Sequence, residues 1–111
     1  MKSLGIDIGS SSVKVSLLDI ASGECAASSA NPATEMPIGS PQSGWAEQDP
    51  EYYWASLGEA CRLLWEQVSI DKRLIKGVAL TTQRGTLINV DAHGQPLRPA
   101  MLWLDQRRAA V

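Results

Sequence analysis

Gly5-Ile6-Asp7-Ile8-Gly9-Ser10-Ser11-Ser12-Val13-Lys14 is the stretch from which the fold is read. On its N-terminal side Leu4, Ile6 and Ile8 alternate with Ser3, Gly5 and Asp7, the period of two that marks a half-buried strand. On its C-terminal side Val13, Val15 and Leu17 fall on one face, with Lys14, Ser16 and Leu18 on the other. Between them Gly9 to Ser12 reads as a tight turn. Asp19 to Gly23 gives another turn, and Glu24 to Ser29 reads as a third, weaker strand. The opening is therefore expected to be an antiparallel meander joined by short turns.

The same residues carry the candidate chemistry. A strand delivers the carboxylate of Asp7, Gly9 permits the turn, Ser10, Ser11 and Ser12 line it with hydroxyls and amides, and Lys14 follows. Phosphates call for this mixture: donors aimed at oxygen, a cation opposing the charge, and a carboxylate holding a hydrated magnesium ion. It is not a P-loop, because the Gly-Lys-Ser/Thr ending and the following helix are both missing. A plain polar hairpin turn is the competing reading, since Gly-Ser turns are common. Asp7 tips the choice, because a bare carboxylate on a strand with an apolar face is expensive without a cation or donor nearby.

Working outward, Asn31 to Gly44 holds three prolines and two glycines and reads as an irregular connection. Asp49-Pro50-Glu51 starts a helix, with Asp49 capping and Pro50 at the first helical position. Tyr53, Leu57, Ala60, Cys61, Leu64 and Val68 then share one face at helical spacing, while Glu51, Glu59, Arg62 and Glu66 face out. Ile75 to Leu80 reads as a buried strand and Thr86 to Val90 as another, followed by a turn over Asp91 to Gly94. Trp54 and Trp65 read as core residues, Arg107-Arg108 as a solvated helix face, and His93 as a turn residue without a role.

The 111 residues carry ten basic and twelve acidic side chains, for a net charge of -2. That near-balance, with no basic patch, argues against a nucleic-acid or anionic-membrane surface. No stretch reaches the length of a membrane helix, and Asp7 interrupts the N-terminus where a signal peptide would stay apolar. Cys25 and Cys61 are far apart and His93 is the only histidine, so no zinc spacing exists. Reduced thiols in a cytoplasmic protein are the expectation. Asp105 to Val111 reads as the first turns of a helix with no stop signal. Residues 1–111 are accordingly expected to be an incomplete N-terminal portion of one domain, inactive by itself.

Four segments in order resemble the FGGY family of carbohydrate kinases. Gly5 to Lys14 is similar to the first phosphate motif of the sugar kinase, actin and heat-shock chaperone ATPase superfamily. Gly44-Trp45-Ala46-Glu47-Gln48-Asp49-Pro50 with Trp54, Gly77 to Arg84, and Arg98 to Arg107 resemble later FGGY segments. The resemblance implies an α/β, ribonuclease-H-like fold: a meander, a covering helix and further strands. It implies phosphoryl transfer from ATP, with Mg2+, to a hydroxyl of a small-molecule sugar or polyol. Asp7 would organise magnesium through water, and Gly9, Ser10, Ser11, Ser12 and Lys14 would hold the ATP phosphates. Gln83 and Arg84 would reach substrate hydroxyls, Trp103 would wall the pocket, and Asp105 would lie on the substrate side. In the family the catalytic base is an aspartate of the later domain, where the adenine-binding motifs also lie.

Two departures bear on substrate. Glycerol kinases usually follow the Arg84 position with a glutamate, where this chain has Gly85. Xylulokinases usually carry Met-His in place of Arg84-Gly85, and Asn-Asp in place of Leu104-Asp105. Gly85 is expected to leave room for a substrate longer than glycerol, a five- or six-carbon sugar. Alternatives are a glycerol kinase-type polyol kinase and a non-catalytic actin-like binding or assembly module; Gln83-Arg84 and Trp103 argue against the module.

Overall fold

The computed structural model describes residues 1–107. Strand β1 (Lys2–Ile8) pairs antiparallel with β2 (Val13–Asp19), and β2 pairs antiparallel with β3 (Cys25–Asn31). The meander expected from the alternating pattern is therefore present, with its third strand reaching Asn31. After a two-residue strand β4 (Glu47–Gln48) comes helix α1 (Pro50–Gln67), then a short 3-10 turn (Lys72–Leu74). Strand β5 (Ile75–Thr82) joins the far side of β1 in parallel, giving the order β3-β2-β1-β5. A two-residue strand β6 (Ala100–Met101) pairs antiparallel with β4.

Register decides which side chains become core. Leu4 lies opposite Leu17, Ile6 opposite Val15 and Ile8 opposite Val13, so one face of the β1–β2 ladder is wholly aliphatic. Helix α1 covers that face over β2 and β3, packing Ala60, Leu64 and Leu57 against Leu4, Val15 and Leu17. Burying side chains of this size contributes about 1.5–3 kcal/mol each. The helix starts where its chemistry dictates: the Asp49 carboxylate accepts from the Glu51 amide at 3.0 Å, and Pro50 needs no acceptor for a missing N–H. A second cluster gathers Val13, Met36, Tyr53 and Ala100, so the irregular 31–44 connection is pinned by Met36.

Four expectations need correction. β5 is not buried: α1 does not extend over it, and Val78 and Leu80 are 63% and 64% exposed. Residues 86–90 form no strand but two isolated bridges, Leu87 to Met101 and Val90 to Pro96, because a turn with Gly85 at φ +77° precedes them and prolines follow. Trp54 is not core but 74% exposed: it borders an open cleft with Ile8, Thr82 and Ile88, over the part of the sheet that α1 leaves uncovered. Residues 105–107 are not helical, although the Asp105 carboxylate accepts from the Arg107 amide at 2.9 Å in the same pattern by which Asp49 caps α1. The remainder of that expected helix, with Arg108, lies outside the described residues. Trp65 does pack against the core, with the Lys72 ammonium 5.0 Å from its ring centre.

Candidate functional site

The candidate site lies at the carboxyl ends of the parallel pair β1 and β5, where open α/β sheets take their ligands. From Ile8 the chain turns through Gly9 to Ser12 into β2. The Gly9 amide donates to the Ser12 carbonyl at 3.0 Å, and a Cβ on Gly9 would stand 3.1 Å from that oxygen. A side chain there would have to push that carbonyl back by a few tenths of an ångström.

All three serine carbonyls are engaged. Gly9 holds that of Ser12, the Met36 amide donates to Ser11 at 2.7 Å, and Gln48 Nε2 donates to Ser10 at 2.7 Å. Among the described residues, nothing accepts from the amides or hydroxyls of Ser10, Ser11 and Ser12. The turn thus ties its acceptors inward and leaves its donors free, the arrangement of an anion-binding nest.

Asp7 and Lys14 stand directly opposite in the β1–β2 ladder, with Thr81 beside Asp7 on β5. All three line a cleft of about 400 Å³ on the sheet face opposite α1. Asp7 is exposed there, so the expectation that burial makes its carboxylate costly is corrected. What singles it out is its place: it stands opposite Lys14 beside the serine turn and, among the described residues, makes no ion pair. No group of three or more His, Cys, Asp or Glu side chains in the described residues could cage a metal. One carboxylate beside an anion-binding nest suits magnesium, which keeps its waters and shares itself with anionic oxygens.

The residues expected on the sugar side begin at the end of β5. The Gln83 amide donates to the Ile8 carbonyl at 2.9 Å, which fixes this strap to the end of β1. Arg84 is exposed. A Cβ on Gly85 would lie 3.3 Å from the Cβ of Trp103, so the room expected beside Gly85 is already taken by Trp103. Reciprocal bonds of 2.9 Å between Leu87 and Met101 hold the two segments together. Gln83, Arg84 and Trp103 are thus brought to one end of the sheet, next to the serine turn.

Asp105 is placed differently. Its carboxylate accepts from the Ala46 amide at 2.7 Å and from Arg107 Nε and Nη2. The guanidinium of Arg107 holds the Asp105 carboxyl well below the usual carboxylate range, aided by the backbone donors. Arg107 also pairs with Glu47 at 2.9 Å and stacks 3.8 Å from the ring centre of Trp45. Arg98 joins the same Glu47 carboxylate at 2.9 Å. Arg107 is therefore no solvated residue but the hub of a clasp joining 44–47 to 98–107.

Sequence reasoning missed Gln48, Tyr53 and Thr86. Tyr53 Oη donates to Gln48 Oε1, Gln83 Nε2 donates to Tyr53 Oη at 3.4 Å, and Thr86 Oγ1 donates to Gln83 Oε1 at 2.7 Å. The available signal was Tyr53 on the buried helix face, since a buried phenol requires a partner.

The family profile for the FGGY carbohydrate kinases, N-terminal domain, matches residues 2–111. The chain belongs to the FGGY family of carbohydrate kinases. This FGGY chain is 39% identical over 106 residues to the xylulose kinase of Escherichia coli (strain K12), covering 96% of the chain and 21% of that relative. It is 34% identical over 105 residues to the glycerol kinase of Marinomonas sp. (strain MWYL1), covering 94% of the chain and 20% of that protein. Among solved structures it superposes on a xyloylose kinase from Brucella ovis with a TM-score of 0.87 at 31% identity, covering 96% of the chain and 22% of that structure. The Plasmodium falciparum glycerol kinase with ADP superposes with a TM-score of 0.78 at 28% identity, covering 96% of the chain and 21% of that structure. The chain spans about a fifth of the length of the curated relatives it matches. The partial N-terminal domain of the ribonuclease-H-like, actin and sugar kinase fold is the architecture observed. No helix among the described residues is long and apolar enough to cross a membrane.

Proposed function

We propose that the protein carrying this chain transfers the γ-phosphoryl group of ATP to a hydroxyl of a sugar, with residues 1–111 forming part of its N-terminal domain. The supporting observation is the serine turn, whose carbonyls are all held by Gly9, Met36 and Gln48 while its amides and hydroxyls stay free. Those donors would take the phosphate chain, with Lys14 opposing its charge. Asp7 would hold magnesium through water. The metal, when bound, supplies charge neutralisation at the transferred group. Catalysis of this kind rests on positioning and electrostatics more than on covalent chemistry by the protein.

On the acceptor side Arg84 and Gln83 would meet hydroxyls and the exposed ring of Trp103 would face the carbon chain. Asp105 would act behind them, fixing the Trp103 segment through the clasp. With no carboxylate at position 85, glycerol loses an acceptor, an omission worth about 1–3 kcal/mol. A five- or six-carbon sugar is favoured on that ground. A cytoplasmic setting belongs to the same proposal, with Cys25 and Cys61 both unbridged.

The test is a substrate panel on the full-length kinase, comparing kcat/KM for xylulose, ribulose, hexuloses and glycerol with ATP. A pentulose or hexulose should lead. Glycerol as the best substrate would overturn the reading of position 85, and no sugar-dependent release of ADP would overturn the reaction.

A further inference from the structure

Four hydrogen bonds run from the sugar-side strap to the phosphate-side turn, all polarised in one direction. The Ser10 carbonyl can only accept, so Gln48 must present Nε2 to it, at 2.7 Å. Gln48 Oε1 then faces Tyr53 and obliges that hydroxyl to donate. Tyr53 Oη in turn accepts from Gln83 Nε2 at 3.4 Å, the longest of the four links. Gln83 Oε1 accepts from Thr86 Oγ1 at 2.7 Å. Each side chain can take only the orientation its neighbour leaves it.

The middle of this chain is shielded from water. Gln48 is 4% exposed and Tyr53 8%. Burial pushes the Tyr53 hydroxyl up from its ordinary range, which keeps it a neutral donor. Buried, aligned bonds of this kind polarise one another. The last acceptor adds a consequence for the site. The Ser10 carbonyl and the Ser11 N–H belong to one peptide group, so a donor on that oxygen draws charge from the nitrogen and makes the Ser11 amide a stronger donor. That amide is free, in a turn built to meet an anion.

We propose that Gln48 and Tyr53 are positioning residues that couple the serine turn to the Gln83 strap, so that a phosphate chain at Ser10 to Ser12 tightens the grip on a sugar at Gln83, and the reverse. The proposal rests on the phosphoryl-transfer reading above. Neither residue touches a reacting atom; both act through Ser10 and Gln83. Coupling of this type is reciprocal and changes affinity by about 5- to 150-fold.

The experiment measures sugar Kd calorimetrically on the full-length kinase, with and without β,γ-imido-ATP, using the sugar that leads the panel. In the wild type the analogue should tighten sugar binding at least fivefold. Tyr53→Phe removes the central hydroxyl at nearly constant volume, and Gln48→Met removes the donor to Ser10. In either variant the ratio of the two Kd values should fall to within about twofold of one, whatever the change in each affinity alone. Combining the substitutions should cost no more coupling than either alone, because they break one chain. A merely structural role would shift thermal stability or both affinities and leave the ratio intact. An unchanged ratio in a folded variant, or no coupling in a wild type that binds both ligands, overturns the relay while leaving the kinase reading standing. Failure of the wild type to bind the analogue overturns the kinase reading and the relay with it. If Tyr53→Phe does not fold, Gln48→Met and Thr86→Val give the same ratio.

Discussion

Asp7 and Asp105 are both carboxylates in FGGY-like segments, yet the fold treats them in opposite ways. Asp7 projects from the uncovered face of β1 opposite Lys14 and forms no ion pair among the described residues. Asp105 spends its oxygens on the Ala46 amide and on Arg107, inside a clasp that also uses Glu47, Arg98 and the ring of Trp45. The difference separates a polar group the fold needs from one it leaves for a ligand. A charge whose hydrogen bonds are consumed stabilises its surroundings; a charge held rigidly with its bonds unmade is available for chemistry.

The largest effect should come from Asp7→Asn in the full-length kinase. The amide keeps the shape but loses the charge, and turnover should fall on the order of 100–1,000-fold, as electrostatic losses at a transferred group do. Sugar KM should move only a few-fold. Steady-state kinetics check both, and near-normal turnover would place Asp7 on the structural side of the comparison.

Asp105→Asn should give the reverse pattern. The denaturation midpoint should drop more than for Asp7→Asn, while kcat falls less. The pH dependence sharpens the point. Arg107 lowers the folded Asp105 value below its unfolded one, so its contribution is complete above the unfolded carboxylate range of about 3.9 and fades only as pH falls towards the folded value. The stability gap between wild type and variant should therefore be constant from pH 8 to pH 5 and shrink in strong acid. A gap that shrank already near pH 6 would assign the effect to another group.

The smallest effect concerns the strap between the two regions. Gly85 has φ +77° and faces Trp103, so Gly85→Ala adds a strained backbone and a close contact. A left-handed conformation costs a residue with a Cβ about 1–2 kcal/mol. Urea denaturation should show that loss, and sugar KM should rise several-fold as Trp103 is displaced. Unchanged stability with a changed KM would mean that the strap relaxes without strain.

The meander and the helix were legible because their signals are local. Leu4, Ile6 and Ile8 alternate within one strand, and Asp49-Pro50 marks a helix start whatever lies around it. The serine turn was legible for the same reason. Trp54 and Arg107 were misread because their surroundings come from residues distant in sequence. Trp54 falls on a helix side that no described element covers, and Arg107 finds Trp45 and Glu47 across the β4–β6 contact. Exposure of Val78 and Leu80 was equally hidden, since an apolar run reads the same whether or not a neighbour covers it. Gln48 was quoted only as part of a motif, and nothing in its spacing announces a bond to Ser10.

The parallel pairing of β1 with β5 also has a kinetic meaning. The β1–β2 and β2–β3 hairpins and the helix close over short stretches of chain, and contacts of that kind form early. The Ile8 to Thr82 pairing joins segments far apart in sequence and closes late, after a larger loss of chain entropy. The serine turn is synthesised before β5, and the Gln83 strap takes its place only when β5 docks. The part of the site proposed for phosphate is therefore expected to form before the part proposed for the sugar.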